Sequence, residues 1–421
     1  MSLIKPFKGL RPLKNLAAQV AAPPYDVLNR AEAKAMAGDN RYSFLHINKP
    51  EIDIDDNVDP HDEQVYQRGA ENLRRFREEG ILLRDSRDCL YVYQQTMGEH
   101  QQVGLVAAAS VEEYENDLIR KHEFTRPDKE DDRVNHILHL NAQVGPVFLT
   151  YQAKPEIDEL IARITEAPPE YDFTGADDIR HVLWVVDDAN TVNHLVDAFQ
   201  TVPHLYVADG HHRSAAAMRV KQQKQAENQR HSGNEHYNFF LTVIFPHNQM
   251  KILDYNRVVA DLNGLSAAQF LEKIQEKFLL TTVAADQSSK STASPKPTAT
   301  HHFAMYIAGQ WYQLQAQANT WNDADPVARL DVSILQNNLL APVLGITNPR
   351  TDKRIDFVGG IRGMDALQQR VDSGEWAAAF AVFPTSIEDL MAIADAGAVM
   401  PPKSTWFEPK LKSGLVVHCL D

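Results

Sequence analysis

The chain has 421 residues, of which 43% are hydrophobic and 24% are charged, and its formal net charge is −15. Its length predicts two or three domains, of which we expect two, and its composition is that of an ordinary globular protein. An acidic chain without a segregated basic patch is unsuited to a phosphate backbone, so we expect no nucleic-acid partner. Cys89 and Cys419 are the only cysteines, which argues against a disulfide framework and a cysteine-rich zinc site.

The sequence contains no recognisable export or membrane signal. The first residues, MSLIKPFKGLRPLKN, have no uninterrupted apolar core, and nowhere do 18 apolar residues follow one another. We therefore expect a cytoplasmic protein with no membrane partner.

Three element types are predicted in the first third of the chain. Residues 61–80 have the pattern of an amphipathic helix closed by a glycine. Residues 90–111 have two β-rich arms around a Met-Gly-Glu turn, which predicts a hairpin. The polar segment that follows predicts a loop containing Pro127 and then a helix beginning near Asp131, because acidic residues favour the first turn of a helix.

Strand and helix patterns alternate from residue 146 onward. Strands are expected at 146–152, 181–187, 204–208 and 237–246. The rest of the chain has its own helices and strands, so we predict an α+β fold with two regions, 1–250 and 251–421. In the second region, residues 286–300 are rich in Ser, Thr, Pro and Lys, which predicts a mobile loop.

The turn after the strand at 204–208 combines unusual residues. Its sequence is Asp209-Gly210-His211-His212-Arg213. The first N–H groups of a helix lack partners within the helix and lie at the positive end of its dipole, so this turn suits an anion such as phosphate. Gly210 permits close approach, Arg213 can hold two phosphate oxygens, and either histidine can donate further hydrogen bonds. Asp209 is interpreted as a ligand of Mg²⁺ or as the residue that orients a histidine.

Two other interpretations apply to the same five residues. Asp-Gly often forms a tight turn, in which case the polar side chains only cap the helix, and the local pattern does not separate this from a phosphate site. A zinc site is disfavoured, because adjacent histidines point in different directions and no HExxH motif or Cys/His cluster completes the ligands.

Two segments contribute carboxylates that suit phosphoryl transfer. Asp26 lies in the proline-stiffened AAPPYDVL, after its extended part, where it could act as a general base, help hold Mg²⁺ or cap the next helix. The segment 120–133 combines Glu123 with Lys129 and Arg133, which are the charges needed around a migrating phosphoryl group. A solvated charged loop would have the same composition.

A further candidate phosphate ligand is Lys403, which follows a rigid Pro-Pro pair in MPPKST. No GxxxxG precedes it, so it does not belong to a P-loop. The alternative is a structural loop anchored by Trp406 and Phe407.

Five segments together resemble the bacterial and archaeal family called domain of unknown function 1015. They are AAPPYDVL (21–28), YSFLHINKPEID (42–53), RKHEFTRPDKEDDR (120–133), VADGHHR (207–213) and MPPKSTWFEPKLKSGLV (400–416). The DGHHR segment is also similar to the phosphate-binding box of the ParB/sulfiredoxin superfamily. That superfamily includes chromosome-partitioning nucleotide hydrolases, sulfiredoxins and free-serine kinases, and the kinase box is the most similar of the three.

This resemblance implies a ParB/sulfiredoxin-like nucleotide-binding core with large insertions in residues 1–250, and a C-terminal α+β half. It excludes sulfiredoxin activity, because His211 replaces the required cysteine. Partitioning activity is disfavoured, because the acidic chain has no evident helix-turn-helix. The resemblance favours Asp26 as the base, since serine kinases of the superfamily carry a catalytic acidic residue in their N-terminal part, and Glu123 competes for this role.

The predicted function is that of a Mg²⁺-dependent phosphotransferase. It would use ATP or ADP to phosphorylate a hydroxyl of a small metabolite, with free L-serine as one candidate. The phosphates would lie at Asp209–Arg213, assisted by Lys129, Arg133 and Lys403. The alternative is a nucleotide-binding regulatory protein without kinase activity.

Overall fold

A computed structural model of the chain describes residues 3–283 and 296–421. Most of the loop predicted at 286–300 lies outside the described residues, since only its last five residues are among them. None of the helices in the two described ranges has the length and apolar composition needed to span a lipid bilayer.

The described chain forms two compact units. The first comprises residues up to 250 together with 409–421, and the second comprises residues 251–408. The predicted second region extended to residue 421, whereas the last segment returns to the first unit. The reason is backbone pairing, since the terminal strand His418–Cys419 pairs with Ala142–Gln143.

The first unit is built on a mixed β-sheet flanked by helices. Its strands are β1 (Ile4–Lys5), β2 (Leu10–Pro12), β3 (Leu82–Arg84), β4 (Leu90–Met97), β5 (His100–Ser110), β6 (Ile119–Arg120), β7 (Ala142–Gln143), β8 (Val147–Tyr151), β9 (Tyr171–Thr174), β10 (Arg180–Val186), β11 (Leu205–Asp209) and β12 (Phe239–Pro246). Its helices are α1 (Ala17–Val20), α2 (Arg30–Ala37), α3 (Leu45–Asn48), α4 (Glu63–Glu78), α5 (Val111–Glu115), α6 (Pro127–Leu140), α7 (Pro155–Thr165), α8 (Ala189–Gln200) and α9 (His211–Glu227). Short 3₁₀ turns lie at Lys14–Leu16, Tyr25–Val27, Pro50–Asp53, His236–Asn238 and His247–Gln249.

The main sheet of this unit contains nine of the described strands. Their order is β6-β11-β8-β12-β5-β4-β10-β9, with β1 paired to β5. The pairs β12–β8 and β11–β6 are parallel, and the β11–β8 and β12–β5 pairs are antiparallel. Strand β12, with the sequence FFLTVIFP, is buried along its whole length, as expected for a central strand covered on both faces.

Two local predictions have different outcomes. The predicted hairpin is present, with Met97 of β4 opposite His100 of β5. The helix predicted from near Asp131 begins earlier, at Pro127. Proline suits the first position of a helix, where its missing N–H has no helical partner in any case. The predicted loop is therefore shorter, and Lys129 and Arg133 lie on a helix.

Helices α6 and α9 pack against each other, and this contact positions the candidate site. Val134 and Ile137 of α6 belong to one buried cluster with Ala216 and Val220 of α9. The alanines at 215–217 are buried, and their small side chains allow close approach. As a result, the start of α9 lies beside α6.

The second unit has an antiparallel sheet of its own. Its strands are β13 (Lys251–Leu253), β14 (Tyr255–Val259), β15 (Phe278–Thr282), β16 (His302–Ile307), β17 (Gln310–Ala316), β18 (Ile355–Gly359), β19 (Ala378–Ala381) and β20 (Trp406–Glu408). Its helices are α10 (Ala267–Ile274), α11 (Asp331–Leu335), α12 (Gly363–Asp372) and α13 (Ile387–Asp395), with a π-helical turn at Gln336–Leu340 and a 3₁₀ turn at Gly360–Arg362. Among the described strands the sheet order is β15-β17-β16-β19-β14-β18. The predicted α+β class is confirmed, whereas the ParB/sulfiredoxin-like core stays a prediction.

Candidate functional site

The predicted strand-to-helix turn is present at residues 209–211. Strand β11 ends at Asp209, Gly210 has φ +100°, and α9 begins at His211. A Cβ added to Gly210 would lie 3.5 Å from Nη1 of Arg213 and from the backbone of Val147. These are ordinary contact distances, so glycine is favoured here by the left-handed backbone. The first N–H groups of a long helix lie here at the positive end of its dipole, and those of Arg213 and Ser214 already donate to the carbonyl of Gly210.

Arg213 is buried and is already held by two protein oxygens. Its Nη1 donates to the carbonyl of Pro146 at 2.6 Å, and its Nη2 donates to Oδ2 of Asp26 at 2.9 Å. Its Nε is buried and has no hydrogen-bond partner among the described residues. Burial lowers the pKa of Arg213, but Asp26 together with its other neighbours Tyr25 and Asp209 outweighs this and raises it. Arg213 is therefore not free to bind two phosphate oxygens as predicted, because its hydrogen bond to Asp26 attaches that residue to α9.

Arg133 and Tyr25 belong to the same group of side chains as Arg213 and Asp26. The guanidinium carbons of Arg133 and Arg213 lie 3.8 and 5.4 Å from the ring centroid of Tyr25, within the range of cation–π attraction. Arg133 also donates through Nη2 to Asp132 at 2.6 Å. Asp26, Tyr25 and the two arginines thus form one connected cluster. We call it the arginine cluster.

His211 is oriented toward Glu123. Its Nε2 accepts a hydrogen bond from the backbone N–H of His122 at 3.5 Å, so Nδ1 carries the proton of the neutral ring. That Nδ1 lies 3.8 Å from Oε2 of Glu123. Burial lowers the pKa of His211, which favours the neutral ring. The structure therefore places His211 as a neighbour of a predicted base, and not as an open phosphate donor.

His122 lies behind this pair, and the sequence did not identify it as a site residue. Its ring is 4.5 Å from the ring of His211, edge to face, and the residue is 1% exposed. Neither of its ring nitrogens has a hydrogen-bond partner among the described residues. Burial holds the pKa of His122 well below its usual value, so the ring is neutral.

His212 holds the loop that precedes α6. Its Nε2 accepts a hydrogen bond from the backbone N–H of Arg126 at 3.1 Å. Burial lowers the pKa of His212 as well. The adjacent histidines thus serve one structural purpose, because each attaches residues 122–126 to the first turn of α9.

Asp209 is balanced by a lysine from the C-terminal segment. Nζ of Lys410 donates to Oδ2 of Asp209 at 2.8 Å, and Gln95 donates to the carbonyl of Lys410 at 2.9 Å. Burial raises the pKa of Asp209, but the charges of Lys410 and Arg213 together outweigh this and lower it. The carboxylate is therefore ionised and paired.

The surroundings of Asp209 do not suit the magnesium role predicted for it. In residues 3–283 and 296–421, no group of three or more His, Cys, Asp or Glu side chains could hold a metal ion. Asp209 also faces an ammonium, which repels a cation. The described side chains do not fit a metal ion held by the protein alone.

The remaining two predicted phosphate ligands have different surroundings. Lys129 is exposed on α6, one turn before the partly buried Arg133. Lys403 belongs to the second unit, where its Nζ lies 5.3 Å from the ring centroid of Tyr255. A role for either lysine at a phosphate stays a prediction.

Residues 4–333 match the profile of the family described as "Protein of unknown function (DUF1015)". No curated protein matches the sequence.

Several solved structures are similar to this chain at low identity. One is a conserved hypothetical protein from Pyrococcus furiosus, at 13% identity over 74% of this chain and 95% of that chain, with a TM-score of 0.34. Another is a free serine kinase in complex with AMP, at 13% identity over 74% and 92% of the two chains, with a TM-score of 0.35. A third is C-terminally truncated SbnI from Staphylococcus aureus, at 11% identity over 73% and 84%, with a TM-score of 0.35.

Proposed function

We propose that this chain, which belongs to the DUF1015 family, is a nucleotide-dependent phosphotransferase acting on a hydroxyl of a small metabolite. ATP or ADP would supply the phosphoryl group, and free L-serine is the first acceptor to test. One observation carries the proposal. The first turn of α9 lies between two half-exposed carboxylates, Asp26 and Glu123, of which one contacts Arg213 and the other faces His211.

The turn supplies the attraction for a nucleotide. The phosphate would lie at the first N–H groups of α9, whose dipole favours an anion. Positive charge from Arg213 and Lys410 lies beside the same turn, although each cation has a carboxylate partner. Phosphate oxygens would compete with Asp26 and Asp209 for these cations, because charge-assisted hydrogen bonds to phosphate are strong.

The two carboxylates supply the base. The side chain of Asp26 is 40% exposed and that of Glu123 is 34% exposed, so a substrate hydroxyl can reach either one. As the hydroxyl oxygen forms its bond to phosphorus, the bond from phosphorus to the nucleotide oxygen breaks and the hydroxyl proton passes to the carboxylate. We assign Mg²⁺, if the reaction requires it, to the nucleotide phosphates and not to a protein site.

Transfer of phosphate to an acceptor tests this proposal. The full chain is incubated with Mg²⁺, ATP or ADP, and a panel of hydroxylated amino acids and hydroxy acids, and ³¹P NMR follows new phosphate esters. Glu123→Gln and Asp26→Asn keep the shape of each side chain and remove the base. The variant of the true base should bind nucleotide normally and lose turnover by about two orders of magnitude or more. Absence of both nucleotide binding and transfer would disprove the proposal.

The alternative is a nucleotide-binding regulatory protein. The contacts of Arg213 with Pro146 and Asp26 favour this alternative. A nucleotide that displaced these contacts would change the position of the Tyr25–Val27 turn. This alternative predicts nucleotide binding without turnover in the wild-type chain.

A further inference from the structure

A small cavity lies beside the arginine cluster in the first unit. Its volume is about 30 Å³, and its lining includes Tyr25, Asn48, Arg133, Gly145 and Arg213. This space exceeds the room that one water molecule needs, but it is far smaller than a nucleotide site. The cavity can take only a group of a few atoms.

The charge of the lining selects an anion. Two guanidiniums face the cavity, and none of the described residues that line it is Asp or Glu. Burial lowers the pKa of the lining residue His136 to about 3, so this imidazole is neutral. The carboxylates that pair with Arg133 and Arg213 each contact only some of the nitrogens of their guanidinium group. Asp132 accepts from Nε and Nη2 of Arg133, and Asp26 accepts from Nη2 of Arg213.

One hydrogen-bond donor in this wall is unused. Nε of Arg213 is buried and has no partner among the described residues, although its two neighbouring nitrogens are satisfied. An unpaired buried donor destabilises the folded protein. An incoming acceptor atom would recover this free energy, so the site favours a ligand that brings an oxygen to Nε.

We propose that this cavity binds the carboxylate of the acceptor, so that the substrate is a short hydroxy acid or hydroxy amino acid. A carboxylate brings two oxygens in a plane, which suits the planar guanidinium of arginine. The apolar lining residues, which include Val144, Val147 and Phe240, leave room only for a short carbon chain. Because Arg213 contacts both the cavity and Asp26, an acid held at Nε lies beside the same guanidinium as one candidate base. This inference rests on the proposed function.

Equilibrium binding tests the inference without turnover. Isothermal titration calorimetry of the full chain, in the presence of ADP, compares four probes: L-serine, glycerate, ethanolamine and inorganic phosphate. Ethanolamine has the hydroxyl and amine of serine but lacks the carboxylate. We expect the two acids to bind and ethanolamine to bind at least about tenfold more weakly. Equal binding of serine and ethanolamine, or binding of phosphate in preference to both acids, would overturn the inference.

A cavity-filling variant locates the site without removing a charge. A Cβ at position 145 would lie 3.6 Å from Cδ and 3.7 Å from Nε of Arg213, so Gly145→Val fills the space in front of Nε. It should weaken binding of both acids at least about tenfold and change ADP affinity less than about twofold. Gly145→Ala is a milder change that should have a smaller effect, and it keeps the test valid if Gly145→Val does not fold. Ala162→Val, on the exposed face of α7, is the matched control. Unchanged acid binding in Gly145→Val would contradict the proposed location.

The carboxylate inference and the phosphotransferase proposal can be contradicted independently of each other. If ADP binds and no acid does, the carboxylate inference is wrong, and the phosphotransferase proposal stands with another class of acceptor. If the acids bind as expected and neither ADP nor ATP does, the cavity assignment stands and the nucleotide proposal is wrong.

Discussion

Arg213 and Asp26, which are 187 residues apart in the sequence, are joined by a hydrogen bond of 2.9 Å between Nη2 and Oδ2. The bond attaches the Tyr25–Val27 turn to the first turn of α9. Because the guanidinium is buried and the carboxylate is 40% exposed, the arginine depends on this contact more than the aspartate does. Removal of the carboxylate leaves a buried charge with one fewer partner.

Loss of this carboxylate should therefore affect stability. Asp26→Ala should lower the free energy of unfolding by about 2 kcal/mol, whereas Asp26→Asn, which keeps an acceptor oxygen, should lower it by less than about 1 kcal/mol. Urea denaturation measures both values. The control is Asp172→Ala, which removes the partner of the exposed Arg180 and should cost at most about 0.5 kcal/mol. Equal losses in Asp26→Ala and Asp172→Ala would contradict this interpretation.

Two lysines of the C-terminal segment provide a matched pair for nucleotide binding. Lys410 pairs with Asp209 at the turn, and Lys412 pairs with Asp177 at 2.6 Å, away from the turn. Lys410→Gln removes the hydrogen-bonded cation from Asp209 and leaves its negative charge less compensated beside an incoming phosphate. It should weaken ADP binding about tenfold, since one charge at partly exposed contact distance contributes on the order of 1–2 kcal/mol. Lys412→Gln should leave the affinity unchanged, and fluorescence titration with a labelled nucleotide would detect the difference. Equal effects of the two changes would show that Lys410 acts only through the stability of the segment.

The left-handed glycine before α9 is expected to be important for binding. Gly210→Ala places a Cβ at φ +100° and 3.5 Å from Nη1 of Arg213, so it should cost about 1–3 kcal/mol of stability and reduce nucleotide affinity. Gly98→Ala is the control, because Gly98 has φ +58° and nothing within 4 Å of an added Cβ. This control should lose about 1 kcal/mol of stability and keep its nucleotide affinity. Normal nucleotide affinity in a folded Gly210→Ala protein would exclude the turn as the binding site.

The second unit should show a pH dependence of its own. Asp331 is buried, and its Oδ2 has no hydrogen-bond partner among the described residues. Burial raises its pKa from 3.8 to about 7. The folded state therefore binds this proton more tightly than the unfolded state does. The free energy of unfolding should thus fall as pH rises from about 4 to about 7 and then level off.

Asp331→Asn removes this titration. Thermal unfolding between pH 4 and pH 8 should show a smaller fall in Tm for the variant than for the wild type, because the asparagine carries no proton that the folded state favours. Asp365→Asn, at an exposed position of α12, is the matched control and should retain the wild-type pH dependence. The same slope in Asp331→Asn and the wild type would show that Asp331 is not the group responsible.

The turn at residues 209–213 could be predicted because its signals are local. A β-rich run, a glycine and an alanine-rich helix follow one another directly, and the α+β class follows from similar patterns. The start of α6 has two local signals, Pro127 at the first helical position and the acidic residues after it, and the proline marks the true start.

The partners of this turn could not be predicted from spacing. Lys410 reaches Asp209 across 201 residues, through the return of the last segment to the first unit. The contacts of His211 and His212 depend on backbone N–H groups at residues 122 and 126, whose positions are set by the packing of α6 on α9. Sequence chemistry identified the residue types, whereas tertiary packing decided which of their atoms are already used.

The most direct test of the central claim is transfer of labelled phosphate to an acceptor by the wild-type chain, measured alongside Asp26→Asn and Glu123→Gln. With Mg²⁺ and radiolabelled ATP or ADP, we expect a labelled phosphate ester on L-serine or another short hydroxy acid. We also expect one of the two variants to bind nucleotide with wild-type affinity and to form no product. Nucleotide binding without product from any acceptor would favour the regulatory alternative, and absence of both binding and transfer would contradict the account.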